Sequence, residues 1–247
     1  MAIYLPEPLM KRDMQKMTLL VTLFLLTILQ GYAQDEEFFQ APDYRQIERN
    51  VREPASSYHY PKLLEKYLNS DAAMTAEEGR HLYFGYVFQS NYIPADTSRY
   101  NKLLADVLIK STLLTDDYDR ILQYSEALLQ EDPFNLRALN ARMLVYAQQN
   151  DAASYKAVAR KRRIVQDAIV GTGDGMSEKT AFYVIKVAHE YDILPFLGFS
   201  FGGEDRILKN NRINYLSLGQ NRFGVERIYF NIKPVIEHVS ARGGGKL

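Results

Sequence analysis

Residues 132–151 read Asp-Pro-Phe-Asn-Leu-Arg-Ala-Leu-Asn-Ala-Arg-Met-Leu-Val-Tyr-Ala-Gln-Gln-Asn-Asp, and their reading decides the fold. Asp132-Pro133 stops one helix, because the residue before a proline is pushed out of the helical region. Leu136, Leu139, Met143 and Tyr146 recur at helical spacing and carry the next helix. Gln149-Asn150 closes it, and Tyr155, Val158, Val165 and Ile169 carry another. Two helices of about 15 residues across a turn this short lie antiparallel.

The same pattern extends toward the N-terminus. Pro61 suits the first turn of a helix, where its missing N–H costs nothing, with Leu63, Leu64, Tyr67 and Leu68 as the apolar stripe. Thr75-Ala-Glu-Glu78 is a capping box, and predicts a helix to about Ser90 burying Leu82, Tyr83, Tyr86 and Val87. Asn91-Tyr-Ile-Pro94 ends it. Tyr100, Leu103, Leu104, Val107 and Leu108 mark a third helix. Asp116 or Asp117 caps a fourth, with Ile121, Leu122, Leu128 and Leu129 inward. The polar segment before Pro61 holds one short helix near Asp43–Val51.

Past Ile169 the texture changes. Gly171-Thr-Gly-Asp-Gly175 breaks the helix. Ala181–His189 is β-branched and aromatic and reads as a strand, as does Phe196–Phe201. Ile213–Leu218 and Val225–Ile232 form a hairpin across 219–224. The tail 242–247, Arg-Gly-Gly-Gly-Lys-Leu, has nothing to pack and is expected to be disordered. The fold class is therefore α+β: antiparallel helix pairs followed by a small antiparallel β-sheet. Its divisions are an extension and export segment at 1–33, a polar leader at 34–57, a helical body at 58–170, a β region at 171–238 and a tail at 239–247.

Residues 11–34 carry an address. A basic lead with Lys11, Arg12 and Lys16 precedes an apolar run from Thr18 to Leu29, and Gly31 and Ala33 supply the small residues of a cleavage site. That is the anatomy of a secretory signal, with cleavage after Ala33. The apolar run is shorter than the roughly 20 residues of a helical span, so retention as a membrane anchor is the weaker alternative. Pro6, Glu7, Pro8 and Asp13 suit a signal lead poorly, which favours a start at Met14 or Met17 over Met1. No cysteine occurs, so neither a lipid-bearing cysteine nor a disulfide is available, and stability rests on packing. The protein is expected to be periplasmic or secreted, with no membrane span after cleavage. The net charge is zero, and export removes three basic and two acidic residues. A near-neutral chain has no long-range field for nucleic acid.

The run Asp132–Asn135, its helix, Asn150-Asp151 and the next helix resemble the helix pair of tetratricopeptide repeats, without a second copy at a fixed period. A second resemblance spans most of the chain. Residues 173–191, Gly-Asp-Gly-Met-Ser-Glu-Lys-Thr-Ala-Phe-Tyr-Val-Ile-Lys-Val-Ala-His-Glu-Tyr, are similar to the central motif of the family of domain of unknown function 4919. Gly85–Gln89 and Arg227–Asn231 are similar to its flanking segments. The resemblance implies secreted Bacteroidetes proteins with tetratricopeptide-like helices, and it assigns no functional residues.

Several constellations hint at chemistry. Gly198-Phe-Ser200-Phe-Gly202 matches a nucleophile elbow, and Ser200, Asp205 and His238 fall in hydrolase order. That elbow needs a strand-to-helix turn on a long parallel sheet, which this sequence does not offer. His189-Glu190 opens a zinc motif, but Ile193 stands where the second histidine belongs, so no metal site is expected. The 171–175 loop lacks the Lys and Ser/Thr of a phosphate loop and reads as a domain junction, and no cofactor is expected. Arg160-Lys-Arg-Arg163 reads as a solvated helix face. Tyr83, Tyr86, Tyr92 and Tyr100 are either core packing, the favoured reading, or a recognition surface. With no coherent catalytic set, the expected function is non-enzymatic binding of a peptide, protein or glycan in a helical groove. The alternatives are a serine hydrolase using Ser200 and His238, or an accessory subunit docking by its β-sheet.

Overall fold

The structure is a computed structural model that describes residues 39–208 and 212–241. The export segment, its cleavage site, the choice of start and the tail at 242–247 lie outside the described residues. Among the described residues no helix is long and apolar enough to cross a membrane.

Among the described residues, seven α-helices form the first part. They are α1 (Tyr44–Arg52), α2 (Tyr60–Leu68), α3 (Ala76–Gly85), α4 (Arg99–Leu108), α5 (Thr115–Glu131), α6 (Leu136–Gln148) and α7 (Ala152–Val170). Polar side chains set their starts. Asp43 accepts from the amides of Arg45 and Gln46 at 3.0 and 3.1 Å. The capping box forms: Thr75 Oγ1 accepts from the Glu78 amide at 3.2 Å, and Glu78 Oε2 accepts from the Thr75 amide at 2.8 Å. Asn135 and Asp151 cap α6 and α7. Asp117 is not itself the cap of α5. It sits one turn in and reaches back to the Leu114 amide at 3.1 Å.

Helix α3 stops at Gly85, and a 3₁₀ turn at Tyr86–Phe88 replaces the expected α-helix to Ser90. The Gln89 side chain takes the Gly85 carbonyl at 3.2 Å, the acceptor its own amide would use in a continuing α-helix. That amide goes to Tyr86 instead, at 2.9 Å.

Helices α4, α5, α6 and α7 pack each on the next in chain order, while α3 packs on α7 and receives α1 and α2. Leu104, Val107, Ile121, Leu128, Ala138, Ala141 and Val145 fill a small interior between α4, α5 and α6. A larger one joins the remaining helices to the β region through Tyr67, Tyr83, Phe84, Phe134, Phe182 and Phe230.

The second part holds β1 (Phe182–Tyr183), α8 (Val187–Asp192), β2 (Phe201–Ile207), β3 (Ile213–Leu218), β4 (Arg227–Asn231) and α9 (Lys233–Ala241). The strand order is β1-β4-β3-β2. The β3–β4 hairpin pairs Ile213 with Asn231 and Ser217 with Arg227, close to the bounds read from the sequence. The sheet is mixed, not wholly antiparallel, because β1 lies parallel to β4.

Two expected strands are corrected. Only Phe182–Tyr183 of the 181–189 segment is strand. Val184 and Ile185 are fully buried, Lys186 turns inward to a carboxylate, and the chain then coils into α8. Their β-branched character reflects burial on all sides, not a pleated face. The 196–201 segment is a turn around Gly198 at φ +80°, and the strand begins where it was expected to end, at Phe201. Helix α9 occupies 233–241, where the sequence suggested the end of the sheet and the start of a tail. Asn231 Oδ1 accepts from the Lys233 amide at 3.1 Å, and Pro234 sits in the first turn.

The glycine loop joins the two parts. A Cβ on Gly173 would stand 2.0 Å from the Thr180 carbonyl oxygen. Gly175, at φ +70°, donates to Thr180 at 2.8 Å and accepts from the Tyr229 amide at 2.9 Å. This is close stitching of backbone to backbone.

Candidate functional site

The family-like motif delivers three polar residues, Lys186, His189 and Glu190, into the interior. His189 is fully buried. The Tyr83 hydroxyl lies 2.7 Å from its Nδ1, and the Phe134 carbonyl lies 3.1 Å from its Nε2. A carbonyl only accepts, so Nε2 carries the proton and Nδ1 accepts from Tyr83. Tyr83 in turn accepts from the Ile185 amide at 3.3 Å. Burial pushes the imidazole pKa down to about 3, so the ring is neutral. The chain from Ile185 through Tyr83 and His189 to Phe134 ties α8 to α3 and to the turn before α6. Sequence reading placed His189 at the end of a strand. It lies on a helix, and its partners are 106 and 55 residues away.

Lys186 is buried against Asp132 at 2.5 Å, with Asp96 at 3.8 Å. Arg137 closes the group through Asp192 at 3.1 Å and Asp96 at 3.9 Å. Burial raises the Asp192 pKa to about 6, against the pull of Arg137. Glu190 is also fully buried, and burial lifts its pKa to about 8. The Asn214 amide donates to it at 2.5 Å and to Asp205 at 2.8 Å. Tyr191 donates to Asp205 from the other side. The cavity beside Lys186 measures about 40 Å³, enough for a water and too small for a substrate. The network ties the helical part to the β region.

The tyrosines expected as a possible recognition surface do not make one. Tyr83, Tyr86 and Tyr92 are buried, because each hydroxyl finds a partner inside. Tyr86 donates to the Asn91 carbonyl at 3.3 Å and Tyr92 to the Ile185 carbonyl at 2.5 Å. Tyr100 is half-buried against the small interior of α4 and α5.

The hydrolase candidates do not meet as a triad. Ser200 leads straight into β2, its carbonyl accepts from the Gly219 amide at 2.9 Å, and among the described residues no hydrogen bond joins its side chain to Asp205. Asp205 is held by Tyr191 and Asn214, and the His238 ring stands edge-on to Tyr92 at 4.9 Å. Within 160–163, Arg160 and Arg163 are exposed while Lys161 and Arg162 are half-buried, so this helix face is only partly solvated. Among the described residues no group of three or more His, Asp or Glu gathers closely enough to hold a metal ion.

Among the described residues, a groove between α2, α5, α6 and α7 has a volume of about 330 Å³, beside a smaller one of about 260 Å³ between the start of α3 and α7. Leu64, Leu68, Leu129, Leu139 and Val158 wall the larger groove, and Arg142 and Lys161 bring charge. Arg142 is fully engaged: it donates to Glu126 at 2.6 Å, to the Tyr146 hydroxyl at 2.8 Å and to the Leu122 carbonyl at 3.5 Å. Lys161 lies 6.0 Å from the Tyr67 ring centre and has no ion-pair partner among the described residues. Burial, then the neighbouring Arg142, lower its pKa. Sequence reading missed this pair. Lys161 sat inside a charge run, and nothing local marks which member of such a run turns inward.

Neither curated proteins nor solved structures gave a match to this chain. The model of the family described as a domain of unknown function, DUF4919, matches residues 45–241, from the start of α1 to the end of α9. That span takes in the helices, the buried Lys186–Glu190 network and the mixed sheet, and the chain belongs to this family.

Proposed function

We propose that the protein is an exported, non-enzymatic binding protein that holds a peptide, protein or glycan partner in the groove between α2, α5, α6 and α7. The groove carries the reading. It is open and leucine-walled, within the size range of ligand sites, and contains a cation with no internal partner. The export-like segment at 11–34 supports a periplasmic or secreted setting. Among the described residues, Lys186 and Asp132 border a cavity of only about 40 Å³ and His189 is held by Tyr83 and Phe134, which favours binding over catalysis. The test is retention of envelope components on the immobilised protein, compared with Leu64→Trp, whose indole fills the groove. Groove-dependent retention supports the reading; identical retention removes it.

A second reading, an accessory subunit docking by its sheet, has one observation in its favour. Strand β2 is a sheet edge exposed along its whole length, including Phe201 and Ile207. Exposed edges recruit other strands. Retention lost in Ile207→Lys but kept in Leu64→Trp would favour it.

A further inference from the structure

The charges lining the groove are Glu126, Arg142 and Lys161. Glu126 pairs with Arg142 and also pulls on Lys161 without contacting it, so the three together leave a net single positive charge. The Lys161 ammonium reaches water at the groove instead of being sealed in, and an anionic group is its charge complement there. One cation calls for one anion, so a dicarboxylate or a phosphate dianion is overcharged for the site. The walls are aliphatic and call for an apolar group beside that anion.

Size narrows the choice. A volume of about 330 Å³ lies at the small end of ligand sites, in scale with a terminal residue rather than a longer segment. A leucine or phenylalanine residue ending in a free carboxylate is of that size. The rim separates this from a fatty acid. Asn91 and Gln130 line the groove with exposed side chains whose amides make no hydrogen bond among the described residues. An acyl chain offers such amides nothing, whereas a peptide main chain supplies both donors and acceptors.

We infer that the groove takes the C-terminal residue of a peptide, its apolar side chain against Leu64, Leu129 and Leu139 and its single carboxylate on Lys161. The inference rests on the groove being the binding site and names the partner class for it. The residue before the last one crosses the rim, where Asn91 and Gln130 meet its main chain. A carboxylate beside Lys161 also opposes the effect of burial on that ammonium, so binding raises the lysine pKa.

The experiment is fluorescence anisotropy on the full-length protein, with an N-terminally labelled short peptide ending in Leu-Phe. Free acid and C-terminal amide are compared, with sodium decanoate as competitor. The free acid is expected to bind at least tenfold more tightly than the amide. Lys161→Met, which keeps the aliphatic stem over Tyr67, is expected to bring the two within twofold. Equal binding of acid and amide by the native protein overturns the inference, and needs no variant to fold. A preference that survives Lys161→Met overturns it too, as does decanoate binding more tightly than the peptide. Should neither peptide bind while retention still depends on Leu64, the C-terminal assignment falls and the groove reading stands. Should retention also ignore Leu64, both fall.

Discussion

Replacing Glu190 by glutamine should remove a loss of stability that the native protein suffers above neutral pH. Glu190 is buried, one of its oxygens has no partner, and Asp205 shares its Asn214 amide. Its pKa rises from 4.5 to about 8 on folding, chiefly through burial. The native state therefore holds a proton that the unfolded chain gives up. Stability from this group is complete below pH 4.5 and drains away as pH rises toward 8. Two other buried groups act at lower pH. His189, held down from 6.5 to about 3, costs stability as pH falls below 6.5. Asp192, raised from 3.8 to about 6, behaves like Glu190 but is spent by pH 6. Between pH 6.5 and 8 Glu190 dominates: its native proton is lost only near pH 8, at a cost of about 1.6 kcal/mol over the window, while the half-protonated unfolded His189 gives back about 0.4 kcal/mol as it deprotonates. The net loss is about 1 kcal/mol. Urea unfolding followed by far-ultraviolet circular dichroism at both pH values measures it. The native protein should lose that amount, and Glu190→Gln should lose nothing and gain slightly. A flat native profile, or a slope that persists in Glu190→Gln, refutes the assignment of a neutral buried acid.

Gly173→Ala should destabilise by about 3 kcal/mol, the upper range for overpacking, because the new methyl meets the Thr180 carbonyl and backbone cannot swing aside. Thermal melting of the purified variant checks it. Lys186→Met should cost roughly 3–5 kcal/mol, since it leaves Asp132 buried without its cation. Denaturant titration beside Lys186→Arg, which retains the charge, separates lost pairing from lost packing. A serine-reactive phosphonate should leave the protein unlabelled; labelling that vanishes in Ser200→Ala would restore the hydrolase alternative.

The helical part was open to reading because its signals are local. Thr75 and Glu78 lie three residues apart, Asp132-Pro133 are adjacent, and Leu136, Leu139 and Met143 share one face by spacing alone. The hairpin was legible for the same reason, with its turn held by Asn221 and Gly224. The errors fall where long-range contacts override local character. Val184 and Ile185 carry strand chemistry, but Lys186 is drawn to Asp132, 54 residues earlier, and the chain turns into α8. Gly198-Phe-Ser-Phe-Gly202 looked like an elbow until the strand pairing placed Ser200 at its entry, beside Gly219. The tyrosines were ambiguous in sequence, because a flat ring with a hydroxyl serves a core and a surface equally well. Only the partners of those hydroxyls decide. The groove was least legible of all. It needs side chains from four helices, and its key feature is a carboxylate that Lys161 does not have.

The central claim is that this groove is where the protein meets its partner. The most direct measurement immobilises the native protein, Leu64→Trp and Ile207→Lys, and quantifies what each retains from envelope extract. All three must first melt within a few degrees of one another. The account predicts that a component held by the native protein and by Ile207→Lys is lost in Leu64→Trp. Equal retention by native protein and Leu64→Trp contradicts it.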